Sequence, residues 1–100
     1  MSTTMAKRRK HIQPRSGVEK AFGQIVRIVR EDELKISQAE LEKRTGLNRT
    51  FISDLERGIQ GPGIRTIFRI AQGLETTPCS LLRRTAQSKS FEFPVGKESN

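Results

Sequence analysis

Residues 37–58 read SQAELEKRTGLNRTFISDLERG, and the two glycines in this stretch decide how it folds. Ser37 offers a side-chain oxygen to the free amides of a helix start, and Glu40, three residues on, completes a capping box. A helix begun there ends at Gly46, which suits the left-handed residue that closes a helix. Leu47 bridges to Asn48, a second good N-cap, and the next helix runs from Arg49 to Arg57 before Gly58 stops it. Two helices of about nine residues around Gly46-Leu47-Asn48 make a helix–turn–helix unit.

The pattern continues on both sides. Upstream, Val18, Phe22, Ile25, Val26 and Val29 recur at helical spacing, which predicts a first helix from Val18 to about Asp32. Glu31-Asp32-Glu33 is unfavourable at a helix C-terminus, where the dipole favours cations, and supports a stop there. In the second helix Ala39, Leu41 and Thr45 are expected to face inward. Downstream, IQGPG is a turn, and a fourth helix from Ile64 to about Leu74 buries Ile67, Ile70, Ala71 and Leu74. Thr77 then caps a short fifth helix with Pro78 at its first position and Leu81 and Leu82 as its apolar face. After Arg84 the periodicity fades, and Phe91-Glu92-Phe93 is the only later segment able to form a strand. The expected fold class is all-α, with five helices over residues 18–84, a disordered basic arm over 1–17 and a tail over 85–100.

The third helix carries the functional signal. At about 100° per residue, Ile52 and Leu55 form the inward stripe with Phe51 beside it. Arg49, Thr50, Ser53, Asp54 and Arg57 then share the exposed side. This is a mixed row of donors and acceptors, which suits base-pair edges in a major groove. Arg49 can pair bidentately with guanine, and Thr50 can touch a thymine methyl or donate a hydrogen bond. Ser53 is permissive, Asp54 can accept from cytosine, and Arg57 can reach a phosphate. A solvated helix face is the alternative for such a row taken alone.

The run from Ser37 through Leu82 resembles the xenobiotic-response-element family, the helix–turn–helix domains of phage repressors and Cro proteins. Its Ser37-Gln38 opening, the Gly46-x-x-Arg49-Thr50-Phe51-Ile52-Ser53 run, the Leu55-Glu56-Arg57-Gly58 ending, Pro62 and Ile70-Ala71 all match that pattern. The resemblance covers about residues 20–83. It implies base reading by Arg49, Thr50, Ser53 and Asp54, and phosphate contacts from Gln38, Asn48 and Arg57. It also implies a structural ion pair of Arg30 with Glu56, which takes Glu56 out of DNA reading. The chain departs from the family in two places. The segment EDELKI is one residue longer than usual and lacks its glycine, and Gly73 and Glu75 replace the small residue and glycine common after helix four. The implied function is sequence-specific transcriptional regulation of double-stranded DNA, as a repressor and homodimer, in bacterial or phage cytoplasm.

Composition agrees with a polyanionic partner without deciding for one. The 100 residues carry a net charge of +8, which favours nucleic acid, an anionic surface or an acidic protein. Lys7, Arg8, Arg9, Lys10 and Arg15 put much of that charge in residues 1–17, so the KRRK run is a candidate for phosphates or the minor groove. Cys79 is the only cysteine, which excludes an internal disulfide and a cysteine-based zinc site; it reads as a small core filler. His11 is flanked by charge in the arm, so no metal role is expected of it. No catalytic constellation or phosphate-binding loop is present, so neither an enzyme nor a cofactor is expected. No apolar run reaches membrane-span length. The dimer surface is expected on helix five, at Leu81 and Leu82, with the FEF segment as a possible addition. The competing class is an antitoxin or adaptor whose tail, through Phe91 and Phe93, adds a strand to a protein partner.

Overall fold

The computed structural model describes residues 17–94, and most of the basic arm and the last six residues lie outside them. Five helices follow in order: α1 (Gly17–Arg27, continued by a π-helical turn over Ile28–Glu33), α2 (Gln38–Thr45), α3 (Arg49–Glu56), α4 (Ile64–Gly73) and α5 (Pro78–Ala86). Gly17, assigned to the arm from sequence, is the first residue of α1. The core is one cluster. Phe22, Ile25, Val26 and Val29 come from α1, Leu41 from α2, Ile52 and Leu55 from α3, Ile70 and Ala71 from α4, and Leu81 from α5. Leu74, just past α4, completes it.

Local chemistry sets the helix ends. The Ser37 oxygen accepts from Glu40 N at 3.0 Å and Asn48 Oδ1 accepts from Thr50 N at 2.7 Å. Thr77 Oγ1 accepts from Ser80 N at 3.0 Å. Only the forward half of the expected capping box forms, because the Glu40 carboxylate takes Arg44 Nε at 3.1 Å instead. Gly46 and Gly58 stand at φ 80° and 79°, in the left-handed region that a side chain strains.

Three inward assignments fail for reasons of helical phase. Ala39 is exposed; it lies two residues before Leu41, hence on the opposite side of α2. Cys79 is likewise two residues before the buried Leu81 and is exposed rather than filling the core. Leu81 and Leu82 do not share a face: Leu81 is fully buried and Leu82 is 45% exposed. The buried neighbour of Leu81 is Thr85, one turn on, whose hydroxyl donates to Leu81 O at 2.7 Å.

The longer α1–α2 segment is absorbed by the π turn, which accommodates one extra residue per turn. Leu34 N donates to Val29 O at 2.8 Å, five residues back. The widened turn buries Val29 and Arg30 side by side while Ile28 stays exposed. Arginines also relieve the acidic end of this helix. Arg27 Nε holds Glu31 at 3.1 Å, and Arg84 forks onto Glu33 at 2.7 and 3.2 Å. The Arg84 hydrogen bond holds the Glu33 carboxyl below its ordinary pKa.

Where the sequence lacks the family's glycines, the backbone still takes the glycine conformation. Lys35 has φ 55° and Glu75 φ 60°. Left-handed backbone costs an L residue roughly 1–2 kcal/mol, partly offset by the extra unfolded-state freedom of glycine. Lys35→Gly and Glu75→Gly are each expected to stabilise the fold by about 0.5–1 kcal/mol. A rise in urea midpoint at unchanged slope is the readout, and a fall at both positions would refute the argument.

Residues 91–94 form no strand. The Phe91 and Phe93 rings meet edge-on at 4.8 Å, and Ser90 Oγ donates to Gln24 Oε1 at 2.9 Å. The tail thus lies against α1.

Candidate nucleic-acid interface

The row expected on α3 is present as one surface. Arg49, Thr50 and Arg57 are exposed, Ser53 and Asp54 are half-buried, and Ile52 and Leu55 are sealed behind them at 1% exposure each. Asn48 spends Oδ1 on the helix cap, which leaves its amide hydrogens as donors. Arg57 Nη1 lies 3.9 Å from Asp54 Oδ1, so the one carboxylate in the row has a cation beside it.

Behind this row sits a buried polar knot. Arg30 Nε and Nη2 donate to Glu56 Oε2 and Oε1 at 2.7 and 3.0 Å, and Arg30 Nη1 donates to Ile36 O at 2.8 Å. The Glu56 hydrogen bond raises the Arg30 pKa above its ordinary value, against the opposing effect of burial. Gln38 Nε2 also donates to Glu56 Oε1, at 3.0 Å. Three elements therefore meet at one carboxylate: the π turn of α1, the first residue of α2 and the last residue of α3. Glu56 faces inward and is unavailable to bases. Gln38 retains its second amide hydrogen for an outside acceptor, because a side-chain amide carries two. No buried side-chain polar atom among the described residues lacks a hydrogen-bond partner.

Two features escaped the sequence reading. One is an open cleft of about 350 Å3 between α1 and α3, which Arg27 and Glu31 line together with Ser53 and Arg57. The i, i+4 spacing of Arg27 and Glu31 was its only trace. The other is an apolar stripe. Ile64 (73% exposed) and Phe68 (58%) lie one turn apart on α4, and Phe68 shares a groove of about 420 Å3 with Pro78 of α5. Leu82 follows Pro78 by one turn. The i, i+4 spacing of both pairs was the available signal.

The helix–turn–helix family pattern matches residues 26–81, which contain the whole unit just described. The chain belongs to this family, in its XRE (Cro/C1) branch. It is 39% identical over 61 residues to the control protein C.BamHI of Bacillus amyloliquefaciens, which spans 61% of this chain and 75% of that protein. The crystal structure of the restriction-modification controller protein C.AhdI from Aeromonas hydrophila aligns with a TM-score of 0.59 at 29% identity. That alignment covers 62% of this chain and 92% of the other. The clp gene regulator ClgR from C. glutamicum shares the fold at a TM-score of 0.67 and 21% identity, covering 75% of this chain and 96% of its own. The XRE protein is thus a DNA-binding transcriptional regulator, and no described helix is long and apolar enough to cross a membrane.

Proposed function

We propose that this XRE protein represses transcription by occupying a near-palindromic operator as a homodimer. The exposed row Arg49, Thr50, Ser53, Asp54 on α3 reads bases, and Gln38, Asn48 and Arg57 hold phosphates. The observation that carries this reading is the mounting of α3. A polar face stands outward, while the helix behind it is fixed by core contacts and by the Arg30–Glu56–Gln38 knot. A rigid support of this kind positions side chains against base edges. Control of restriction–modification, the role named for C.AhdI, is the regulatory setting the relatives suggest.

An eight-residue recognition helix spans about 12 Å and covers only a few base pairs, so specificity calls for two copies about one DNA turn, roughly 34 Å, apart. The surface that fits a second copy is Ile64, Phe68, Pro78 and Leu82, not the buried Leu81. In a symmetric pair each residue counts twice. Phe68→Asp is therefore expected to weaken dimerisation roughly 100-fold or more and to halve the mass seen in sedimentation. A Phe68→Asp chain that still runs as a dimer would place the interface elsewhere. Lys7, Arg8, Arg9 and Lys10 precede α1 in the sequence, and their clustered charge suits phosphate contacts.

Base reading and phosphate holding separate experimentally. Arg49→Ala should relax preference at one base position and cost about 1–3 kcal/mol, whereas Gln38→Ala should weaken all sequences about equally. Selection of duplexes from a random pool, run on wild type and both variants, reports preference, dyad symmetry and spacing together. Identical behaviour of the two variants would sink the role assignments. An enriched motif without a dyad would sink the dimer.

A further inference from the structure

The cleft between α1 and α3 holds charge that the reading above leaves unused. Arg27 and Glu31, one turn apart on α1, form one wall; Ser53 and Arg57, one turn apart on α3, form the other. The buried Arg30–Glu56 pair is the floor, and Gln38 closes the α2 end. A volume of about 350 Å3 admits a phosphate group with its first waters.

Two guanidinium groups across one opening repel each other. Each is offset by an acid on its own helix. Arg27 Nε sits 3.1 Å from Glu31 Oε1, and Arg57 Nη1 sits 3.9 Å from Asp54 Oδ1. The Arg27–Glu31 side chains are 62% and 51% exposed, and an exposed i, i+4 pair of this kind is weak and opens readily. It also engages only one of the five donors of Arg27. A phosphodiester offers two anionic oxygens matched to a guanidinium fork.

We propose that this cleft seats one backbone phosphate of the bound duplex, with Arg27 as a direct contact and Glu31 as the counter-ion that Arg27 leaves when DNA arrives. The seat rests on the DNA-facing reading of α3 and extends it to α1. The floor supports the assignment. Arg30 and Glu56 neutralise each other in hydrogen bonds within the protein, so the phosphate meets a neutral base and two cationic rims. Glu31 opposes binding in the free state, so removing either member of the pair has opposite consequences.

The test measures affinity for a selected operator against salt concentration for Arg27→Gln, Glu31→Gln and two charge-matched controls at other positions, Lys89→Gln and Glu42→Gln. Arg27→Gln should flatten the slope of log K against log salt by about one contact, and Lys89→Gln by less. Glu31→Gln should tighten binding more than Glu42→Gln does, since it frees Arg27 as well as removing a charge. Circular dichroism checks that each variant keeps its helix content. Inorganic phosphate alone, added at constant ionic strength, should leave the Arg27 Nε resonance in place. A millimolar-range shift would make the cleft a free-anion site and overturn the backbone contact. Equal slopes for Arg27→Gln and Lys89→Gln, or a Glu31→Gln variant no tighter than Glu42→Gln, would also overturn it. If Arg49→Ala still relaxed base preference in that case, only the seat would fail. Loss of all duplex retention by the wild-type chain at low salt would instead remove the DNA-facing reading.

Discussion

Glu56→Ala is expected to remove about 3–5 kcal/mol of folding stability, the cost of leaving one member of a buried ion pair without its partner. The side chains of Arg30 and Glu56 are 7% and 3% exposed, so water cannot replace the lost carboxylate. Alanine would strand two guanidinium nitrogens and the Gln38 amide together. A domain of this size has only roughly 5–10 kcal/mol in total, so the variant would melt near ambient temperature. The double replacement Arg30→Met/Glu56→Leu should behave differently. It removes both charges and their desolvation cost while keeping volume, and similar swaps are neutral or stabilising. Urea unfolding followed by far-ultraviolet circular dichroism separates the two. A Glu56→Ala loss under 1 kcal/mol would show that the knot is solvated and does not fix α3. The double variant would retain base preference but lose the anchor on Gln38, so its affinity should fall evenly across sequences.

The polar signals of this fold were legible because each acts within a few residues. Ser37, Asn48 and Thr77 announced helix starts, and Gly46 and Gly58 announced ends, since the groups they satisfy belong to the adjacent turn. Phase was harder. Helix α2 contributes a single residue to the core, Leu41, and one point does not define a stripe; Ala39 was therefore drawn inward with nothing to contradict it. Leu81 and Leu82 gave α5 two equally apolar candidates. What marks the inward side is Thr85, one turn beyond Leu81, which is buried with its hydroxyl bonded to Leu81 O, and a threonine does not announce that choice. The π turn was hidden for a different reason. A periodicity argument assumes a uniform helix; the extra residue of EDELKI shows in the sequence, but its absorption in a π turn shows only in the hydrogen bond from Leu34 to Val29.

The same distinction explains the site. Residues 18–82 carry ten basic groups against nine acidic ones, which looks neutral as a sum. In space many of the acids are already spoken for: Glu31 by Arg27, Glu33 by Arg84, Glu40 and Glu75 by Arg44, and Glu56 by Arg30. Among the cations lining the α3 surface, Arg49 has no ion pair with a described residue and Arg57 has only a 3.9 Å contact. Net charge hides an under-paired cationic surface on α3 that pairing geometry reveals, the surface proposed above to meet DNA. The apolar stripe of Ile64 and Phe68 was invisible to composition for the converse reason: exposure depends on which neighbours cover a helix, here Leu41 on one side and Pro78 at the edge of the other.

Gly23→Ala should be nearly as damaging as loss of Glu56, through packing rather than charge. Helices α1 and α3 approach so closely at this point that a Cβ on residue 23 would collide with Leu55 O and lie 2.7 Å from Glu56 O and 2.9 Å from Glu56 C. All three atoms are backbone, so no rotamer change relieves the overlap. Either helix must shift, and a close-packed interior transmits that shift rather than absorbing it. Overpacking of this kind costs about 1–3 kcal/mol and occasionally more; immovable neighbours put this site at the upper end. The direction of the shift carries the functional consequence. Leu55 and Glu56 end the recognition helix, so separating them from α1 tilts Arg49 and Thr50 relative to Gln38, and operator affinity falls even in molecules that remain folded. Gly63→Ala provides the comparison, because a Cβ there meets nothing within 4 Å and only the N-cap preference of α4 changes. Denaturation and operator titration on both variants decide the matter. If Gly23→Ala matched Gly63→Ala in both measurements, the close contact of α1 with α3 would not be what holds the reading surface in place.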